Sequence, residues 1–389
     1  MTSRIILNDS PLIHTQLLPL TFTRPVGELM IGMTAIRQKW ERALPGEYSY
    51  ASTDYLSELY PMAEPDESTL FIASNLLPDP YLVEAVASLD EGEALVDSEG
   101  STLAWVGVSG PVNKQTYDRE YTAIRHTYDI FSLNGREITS DFAALTSDRR
   151  GQAVSRSCTV IGDPSQVFIE EGATVEGAFL NTKGGPIYIG VGAEVMEGSC
   201  MRGPIAILDH ATVNMGAKIY GATTIGQHSK VGGELNNVVM FPYSNKAHDG
   251  FLGNAVIGSW CNLGGGSVAS NLKNDYTEIK LWDYQTRRFA KTGLQFCGLI
   301  MGDHSKAGIN TMFNTATVVG VGVNIHGTGF PRNFVASFSE GGATAGFTDV
   351  PLSKFFAIAE RVMARRNITL TDADRRLFTH LFELTQTYK

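Results

Sequence analysis

His248 stands in a polar stretch, Lys246-Ala247-His248-Asp249, at a break in an otherwise regular sequence pattern. An imidazole can take a proton from an amine or a hydroxyl. A lone histidine also fits a structural role, and His210, His228, His304 and His326 are read that way, as corner residues. Arg202 follows the aliphatic Met201 and is expected to point outward, where a guanidinium either grips phosphate or is simply solvated. Asn271 and Lys280 lie in one segment, 270–298, in which the alternation from Tyr276 to Trp282 predicts a hairpin arm, with the Lys280 ammonium either gripping phosphate or solvated. Near the end of the chain, Arg361, Arg365 and Arg366 share one helical face, read as solvated.

The pattern that must position these groups has a period of six. Ile189, Val195, Met201, Ile207, Val213, Ile219, Ile225 and Val231 recur at that spacing, and the register resumes as Phe251, Ile257, Leu263, Ala269 and as Met301, Ala307, Phe313, Val319, Ile325. A helix cannot keep a strict period of six on one face, and a strand repeats every two residues. Small residues such as Ala193, Ala211 and Ser229 fill a second fixed place four positions on, and glycine often follows the aliphatic residue. This is a hexapeptide repeat, expected to form a left-handed parallel β-helix over 151–349. The register fails at 237–250 and at 270–298, which predicts two loops leaving the coil.

Glycine marks the boundary to what precedes: residues 1–150 hold 8 of the 40 glycines, and 151–346 hold 32. The first 150 residues read as α/β, with strands at Arg4–Leu7 and Thr69–Ala73 and helices at Met33–Ala43 and Tyr81–Leu89. Residues 350–389 read as two helices, Ser353–Arg366 and Thr371–Thr387, the second opened by Thr371 with Asp372 and Asp374 in its first turn. The net charge of -10 and the lack of a Lys/Arg-rich run argue against nucleic acid, and no membrane segment or export signal is read. Cys158, Cys200, Cys261 and Cys297 form no C-x-x-C pair, so neither a zinc site nor a disulfide framework is implied and a reducing cytoplasm is expected.

Over about residues 155–340 the chain resembles the acetyltransferase half of the bifunctional glucosamine-1-phosphate N-acetyltransferase/UDP-N-acetylglucosamine pyrophosphorylase family, in a bacterial variant branch. The motifs are Asn245-Lys246-Ala247-His248 with Phe251-Leu252-Gly253-Asn254, then Asn262-Leu263-Gly264-Gly265-Gly266 and Ser270-Asn271-Leu272-Lys273. The resemblance implies His248 as catalytic base. It implies Arg202, Lys246, Phe251, Asn271 and Lys280 as substrate-binding residues, Phe251 standing where many members have Tyr. Acetyl-CoA is the implied acyl donor, an amino-sugar phosphate the acceptor and a homotrimer the assembly. In the same reading Arg361, Arg365 and Arg366 have an alternative role, contact with the phosphates of coenzyme A.

The first domain resembles a short, degenerate Rossmann-type nucleotidyltransferase domain. Leu18-Pro19-Leu20-Thr21 with Arg24-Pro25 matches the strip after the phosphate loop, and Phe71-Ile72-Ala73-Ser74-Asn75 matches the strand that ends in a metal-binding Asp. Arg24 and Asn75 are thereby nucleotide-binding candidates. Asp141, after Phe131-Leu133-Asn134 read as the closing strand, is the candidate Mg²⁺ ligand, with Asp79 as a second. Val26 replaces the expected Lys, Asn75 the expected Asp, and no Gly-rich loop precedes them, so slow or absent uridylyl transfer from UTP is expected. Two alternatives stand beside acetyl transfer: a nucleotidylyltransferase whose β-helix only trimerises, and a non-catalytic sugar-nucleotide scaffold.

Overall fold

The computed structural model describes residues 4–389. The chain forms two compact units, Met1–Met30 with Thr34–His126, and Ile31–Met33 with Thr127–Lys389. The first is an α/β unit around a six-stranded sheet in the order Glu47–Ala51, Arg4–Asn8, Leu70–Ala73, Thr102–Val106, Glu93–Val96, Asn113–Thr116. Ile5, Ile6 and Leu7 are all fully buried, the unbroken apolar run of a strand covered on both faces. Helix Ile36–Ala43 buries Trp40, whose indole donates to the Leu76 carbonyl at 2.8 Å. Asp79 caps helix Pro80–Ala87 by accepting from Tyr81 N (3.0 Å) and Leu82 N (3.1 Å), so this carboxylate holds a helix end.

The repeats form the expected left-handed parallel β-helix, followed by the C-terminal helices. Three ladders of short parallel strands make its faces, and each sends one residue per coil inward. One inward column runs Ile189, Ile207, Ile225, Met240, Ile257, Met301, Val319. A second runs Met201, Ile219, Leu235, Leu252, Ala269, Phe313. All of these belong to one continuous buried core. Three hexapeptides close one coil, which is why a period of six, foreign to helix and strand alike, appears in the sequence.

The corner three residues after the column Ile207, Ile225, Met240, Ile257, Met301 needs a left-handed backbone. His210, His228, Tyr243, Trp260 and His304 adopt it with φ between 57° and 65°. That conformation costs a residue with a Cβ about 1–2 kcal/mol. Their rings stack consecutively at 4.8, 5.1, 4.2 and 6.0 Å, an interaction that offsets part of the strain. The histidines read as corner residues are thus three members of an aromatic stack plus the exposed His326.

Two expectations about the breaks need correction. Residues 237–250 are not an excursion: strand Glu234–Met240 continues the helix, and the next coil is shortened, so that Val231 pairs with Lys246. Lys246 thereby takes an inward place that an aliphatic residue fills elsewhere. Strand Phe251–Ile257 then runs through a corner without a turn, so Leu252 points inward in the place that spacing assigns to Phe251, and Phe251 faces out. The segment 270–298 does leave the coil, as an antiparallel hairpin of Lys280–Asp283 with Arg288–Lys291.

The stretch read as a closing strand is helical. Helix Thr127–Thr146 buries Thr127, Ile130, Phe131, Asn134, Glu137, Ile138, Asp141 and Phe142, at three- and four-residue spacing, and packs along strands Glu234–Met240 and Phe251–Ile257. It belongs to the second compact unit, and the first ends at His126. The terminal helices are Leu352–Ala364 and Asp372–Leu384, the latter opened by a capping box between Thr371 and Asp374.

Candidate functional site

His248 sits on the turn joining strands Asn245–Lys246 and Phe251–Ile257. Lys246, immediately before it, points into the β-helix and is only 1% exposed. Its ammonium donates to the carbonyls of Gly232 (3.1 Å) and His248 (2.5 Å). Burial pushes this amine down to about 8, with Asp249 opposing the shift. Lys246 is therefore a staple of the turn and offers nothing to a bound molecule, contrary to the substrate-binding role expected of it. Gly250 closes the turn with φ +127°, where a Cβ would fall 2.1 Å from the Ser267 carbonyl.

The staple leaves the His248 side chain exposed, and its imidazole has no hydrogen-bond partner among the described residues. Farther along the chain, Gly253 lies on strand Phe251–Ile257. A Cβ there would lie 2.6 Å from both the Phe251 ring and the Asn271 amide, so only glycine lets the two side chains meet above it. Asn271 Nδ2 donates to Asn254 Oδ1 at 2.8 Å, and Asn254 Nδ2 donates to Asn237 Oδ1 at 3.0 Å when the Asn237 nitrogen faces the carbonyls of Phe131 and Ala222. This asparagine relay fixes Asn271 and leaves its Oδ1 open as an acceptor. Glu234 pairs with Phe251 across the ladder and accepts from the Tyr220 hydroxyl at 2.6 Å. Phe251 and Asn271 thus meet over Gly253 on the strand that follows the histidine turn, and Glu234, the ladder partner of Phe251, is marked by no spacing rule.

The expected phosphate grip is dispersed. Met201 pairs with Ile219, Ile219 with Leu235 and Leu235 with Leu252, which puts Arg202 three strands from the row of Gly253, about 14 Å at the usual strand spacing. Arg202 is exposed there. Lys280 is exposed on the hairpin arm opposite Lys291. Lys246 is thus turned inward and Arg202 lies three strands away, and the charged group paired with Phe251 is a carboxylate.

The first unit has a cavity of about 340 Å³ at the carboxyl ends of strands Arg4–Asn8 and Leu70–Ala73, where open α/β sheets bind ligands. Asn75 lines it, its amide donating to the Ile124 carbonyl at 3.1 Å. Asp97 lines it as well. Burial disfavours its charge, but hydrogen bonds from the Tyr121 hydroxyl (2.8 Å) and the amides of Ser101 and Glu99 prevail and hold it below the usual carboxylate range. Asp97 was readable as an acid directly after the buried run Ala94-Leu95-Val96. Arg24 is buried beside Thr23 and is not among the residues lining this cavity.

The turn after the first strand, where a phosphate loop would lie, is held by buried Asp9. Its carboxylate accepts from Val26 N (3.0 Å), Ser52 Oγ (2.6 Å), Ser74 Oγ (2.5 Å) and His14 Nδ1 (3.3 Å). Asp141 accepts from Met33 N at 2.8 Å inside the second unit. Among the described residues no group of three or more His, Cys, Asp or Glu side chains is placed to hold a metal ion. With Asn75 neutral, Asp79 capping a helix and Asp141 in the other unit, these residues do not fit a Mg²⁺ site.

Among the described residues no helix is long and apolar enough to cross a membrane. A family model described as sugar nucleotidyl transferase matches residues 5–150. The bifunctional protein GlmU of Gloeobacter violaceus is 24% identical over 176 residues, 38% of this chain and 37% of that protein. Its counterpart from Synechococcus elongatus is 22% identical over 228 residues, 52% and 45% of the two chains. The chain therefore spans less than half the length of these curated relatives. Among solved structures, the UDP-N-acetylglucosamine acyltransferase of Francisella novicida aligns at 14% identity and a TM-score of 0.29, covering 53% of this chain and 73% of that one. The chain is thus similar to sugar nucleotidyl transferases over residues 5–150 and, at low identity, to parts of the bifunctional GlmU proteins.

Proposed function

We propose that the second unit is a transferase that moves the acetyl group of acetyl-CoA onto the amine of an amino-sugar phosphate of the glucosamine 1-phosphate type. The observation that carries this reading is the exposed imidazole of His248, without a hydrogen-bond partner among the described residues, on a turn stapled by Lys246. An amine reaches the enzyme as an ammonium, which Glu234 and Asn271 would orient. His248 takes one proton, the freed nitrogen lone pair attacks the thioester carbonyl carbon, and the carbon–sulfur bond breaks. The thiolate leaves with a proton returned from the imidazolium, and the nitrogen gives up its second proton to solvent, so the amide, the free thiol and one released proton are the products.

A homotrimer would let a neighbouring copy add a cation for the sugar phosphate. One face of the β-helix supports this assembly, with Phe179, Cys200, Val268 and Met312 exposed on paired strands. Closed three-fold symmetry makes every copy equivalent. Light scattering is expected to give three times the chain mass, and a stable monomer at micromolar concentration would contradict the shared site.

The match of residues 5–150 to sugar nucleotidyl transferases favours a second role, in which the first unit binds UTP or a sugar nucleotide in its 340 Å³ cavity with little turnover. Thiol release from acetyl-CoA in the presence of glucosamine 1-phosphate tests the main proposal. Amine-dependent release supports it, and release no faster than without the amine overturns it.

A further inference from the structure

Asn237, Asn254 and Asn271 stand 17 residues apart, the length of one coil in this part of the β-helix. The ladder pairs Asn236 with Gly253 and Val238 with Ala255, so Asn237 lies level with Asn254. These two adopt a left-handed backbone, with φ of 58° and 45°, which by itself favours asparagine among residues with a Cβ. Asn271 has no such backbone, so conformation does not account for the third asparagine. Hydrogen bonding gives all three a common direction.

A carboxamide can present either its oxygen or its nitrogen to a neighbour, whereas a backbone carbonyl only accepts. The carbonyls of Phe131, on helix Thr127–Thr146, and of Ala222 therefore take Asn237 Nδ2, at 3.0 and 3.2 Å. Asn237 Oδ1 is thereby turned to Asn254 Nδ2 at 3.0 Å, and Asn254 Oδ1 to Asn271 Nδ2 at 2.8 Å. The Ala222 carbonyl also accepts from the buried Asn134 side chain at 2.9 Å, which holds the root of the relay to the helix. At the other end Asn271 Oδ1 makes no hydrogen bond among the described residues. Turning this carboxamide over would set its oxygen against Asn254 Oδ1, two acceptors with no proton between them. We infer that Asn237 and Asn254 are positioning residues that commit the free end of Asn271 to accept, so that a ligand meeting it must donate there. A group that can only accept is rejected. That the donor is the ammonium of an amino sugar rests on the acetyl-transfer reading, whereas the direction of the relay does not.

Titration calorimetry of the intact protein with glucosamine 1-phosphate and with 2-deoxy-2-fluoroglucose 1-phosphate, similar in size but without a donor at that carbon, tests the inference. Asn254→Gly suits the left-handed corner and removes the carboxamide, while Asn254→Asp keeps an acceptor for Asn271 Nδ2. Other groups that recognise the ammonium are common to all the proteins and cancel when the ratio of the two Kd values is compared. The natural chain should prefer the amine, Asn254→Gly should lower that preference about 5-fold or more, and Asn254→Asp should hold it within about twofold. Asn237→Gly, one link back, should lower it in the same direction, and it carries the test if circular dichroism shows Asn254→Gly to be unfolded. A corner that is merely structural predicts that glycine serves as well as asparagine. No preference for the amine in the natural chain, or a preference that the glycine variants leave unchanged or that glycine and aspartate lower alike, overturns the inference. Relay-dependent binding without thiol release from acetyl-CoA would keep the relay and sink the acetyl-transfer proposal. Amine-dependent thiol release with an unmoved Kd ratio would do the reverse.

Discussion

The two units treat their polar residues in opposite ways. In the first, carboxylates at the carboxyl edge of the sheet are engaged by the fold: Asp9 accepts four hydrogen bonds, and Asp79 caps a helix. In the second, the imidazole of His248 and the cations Lys230 and Arg365 stand without protein partners, while buried Lys246 does the structural work beneath them. A polar group saturated by its own chain has little left for a ligand, whereas one exposed on a rigid coil keeps its full capacity. The contrast ties the first set to the fold and leaves the second able to meet a ligand.

The largest effect that would sharpen this comparison is in nucleotidyl transfer. With Asn75 and Val26 at the matched positions and no metal cluster among the described residues, pyrophosphate release from UTP and N-acetylglucosamine 1-phosphate should fall about 10⁴-fold or more below an intact site. A coupled pyrophosphate assay with Mg²⁺ measures this, and brisk turnover would break the contrast. Next in size is Asp9→Ala, which strands the amide of Val26 and two serine hydroxyls and should cost about 3 kcal/mol of stability in urea titration. A variant equally stable but deficient in nucleotide binding would show that Asp9 serves a ligand.

A smaller effect concerns Lys246. Its folded-state pKa of about 8 lies below the ordinary value of 10.5, so between those pH values the unfolded chain binds more protons and this group's contribution to stability rises with pH. At neutral pH its buried charge is a burden, although it closes the His248 turn. The difference in Tm between Lys246→Met and the natural chain should therefore shift against the variant between pH 7 and pH 9.5. A pH-independent difference would mean that the lysine is solvated.

The β-helix was legible because each face demands one inward aliphatic per hexapeptide, a rule that leaves a strict trace in the sequence. It became illegible where a coil shortens: Lys246 breaks the aliphatic rule at an inward place, and the frame moves from Phe251 to Leu252. Helix Thr127–Thr146 was missed because half of its buried stripe is polar, with Thr127, Asn134, Glu137 and Asp141 among the apolar residues. The Asn134 side chain accepts from Gly32 N and donates to the Ala222 carbonyl, contacts distant in sequence that dilute the apolar period. Of the candidate site, His248, Phe251 and Asn271 were readable from their motif. The placement of Arg202 and Lys280 depends on coil counting and on the reach of the arm, which residue types do not encode.

The central claim is that His248 removes the proton from the attacking amine. The most direct measurement is the pH dependence of acetyl transfer in the natural chain beside kcat for His248→Ala. The rate should rise with pH through a single ionisation, and the variant should lose about 10²–10⁴-fold in kcat with little change in KM and an unchanged circular dichroism spectrum. Activity retained within a few-fold, with the same pH profile, would contradict the claim and return His248 to a corner of the coil.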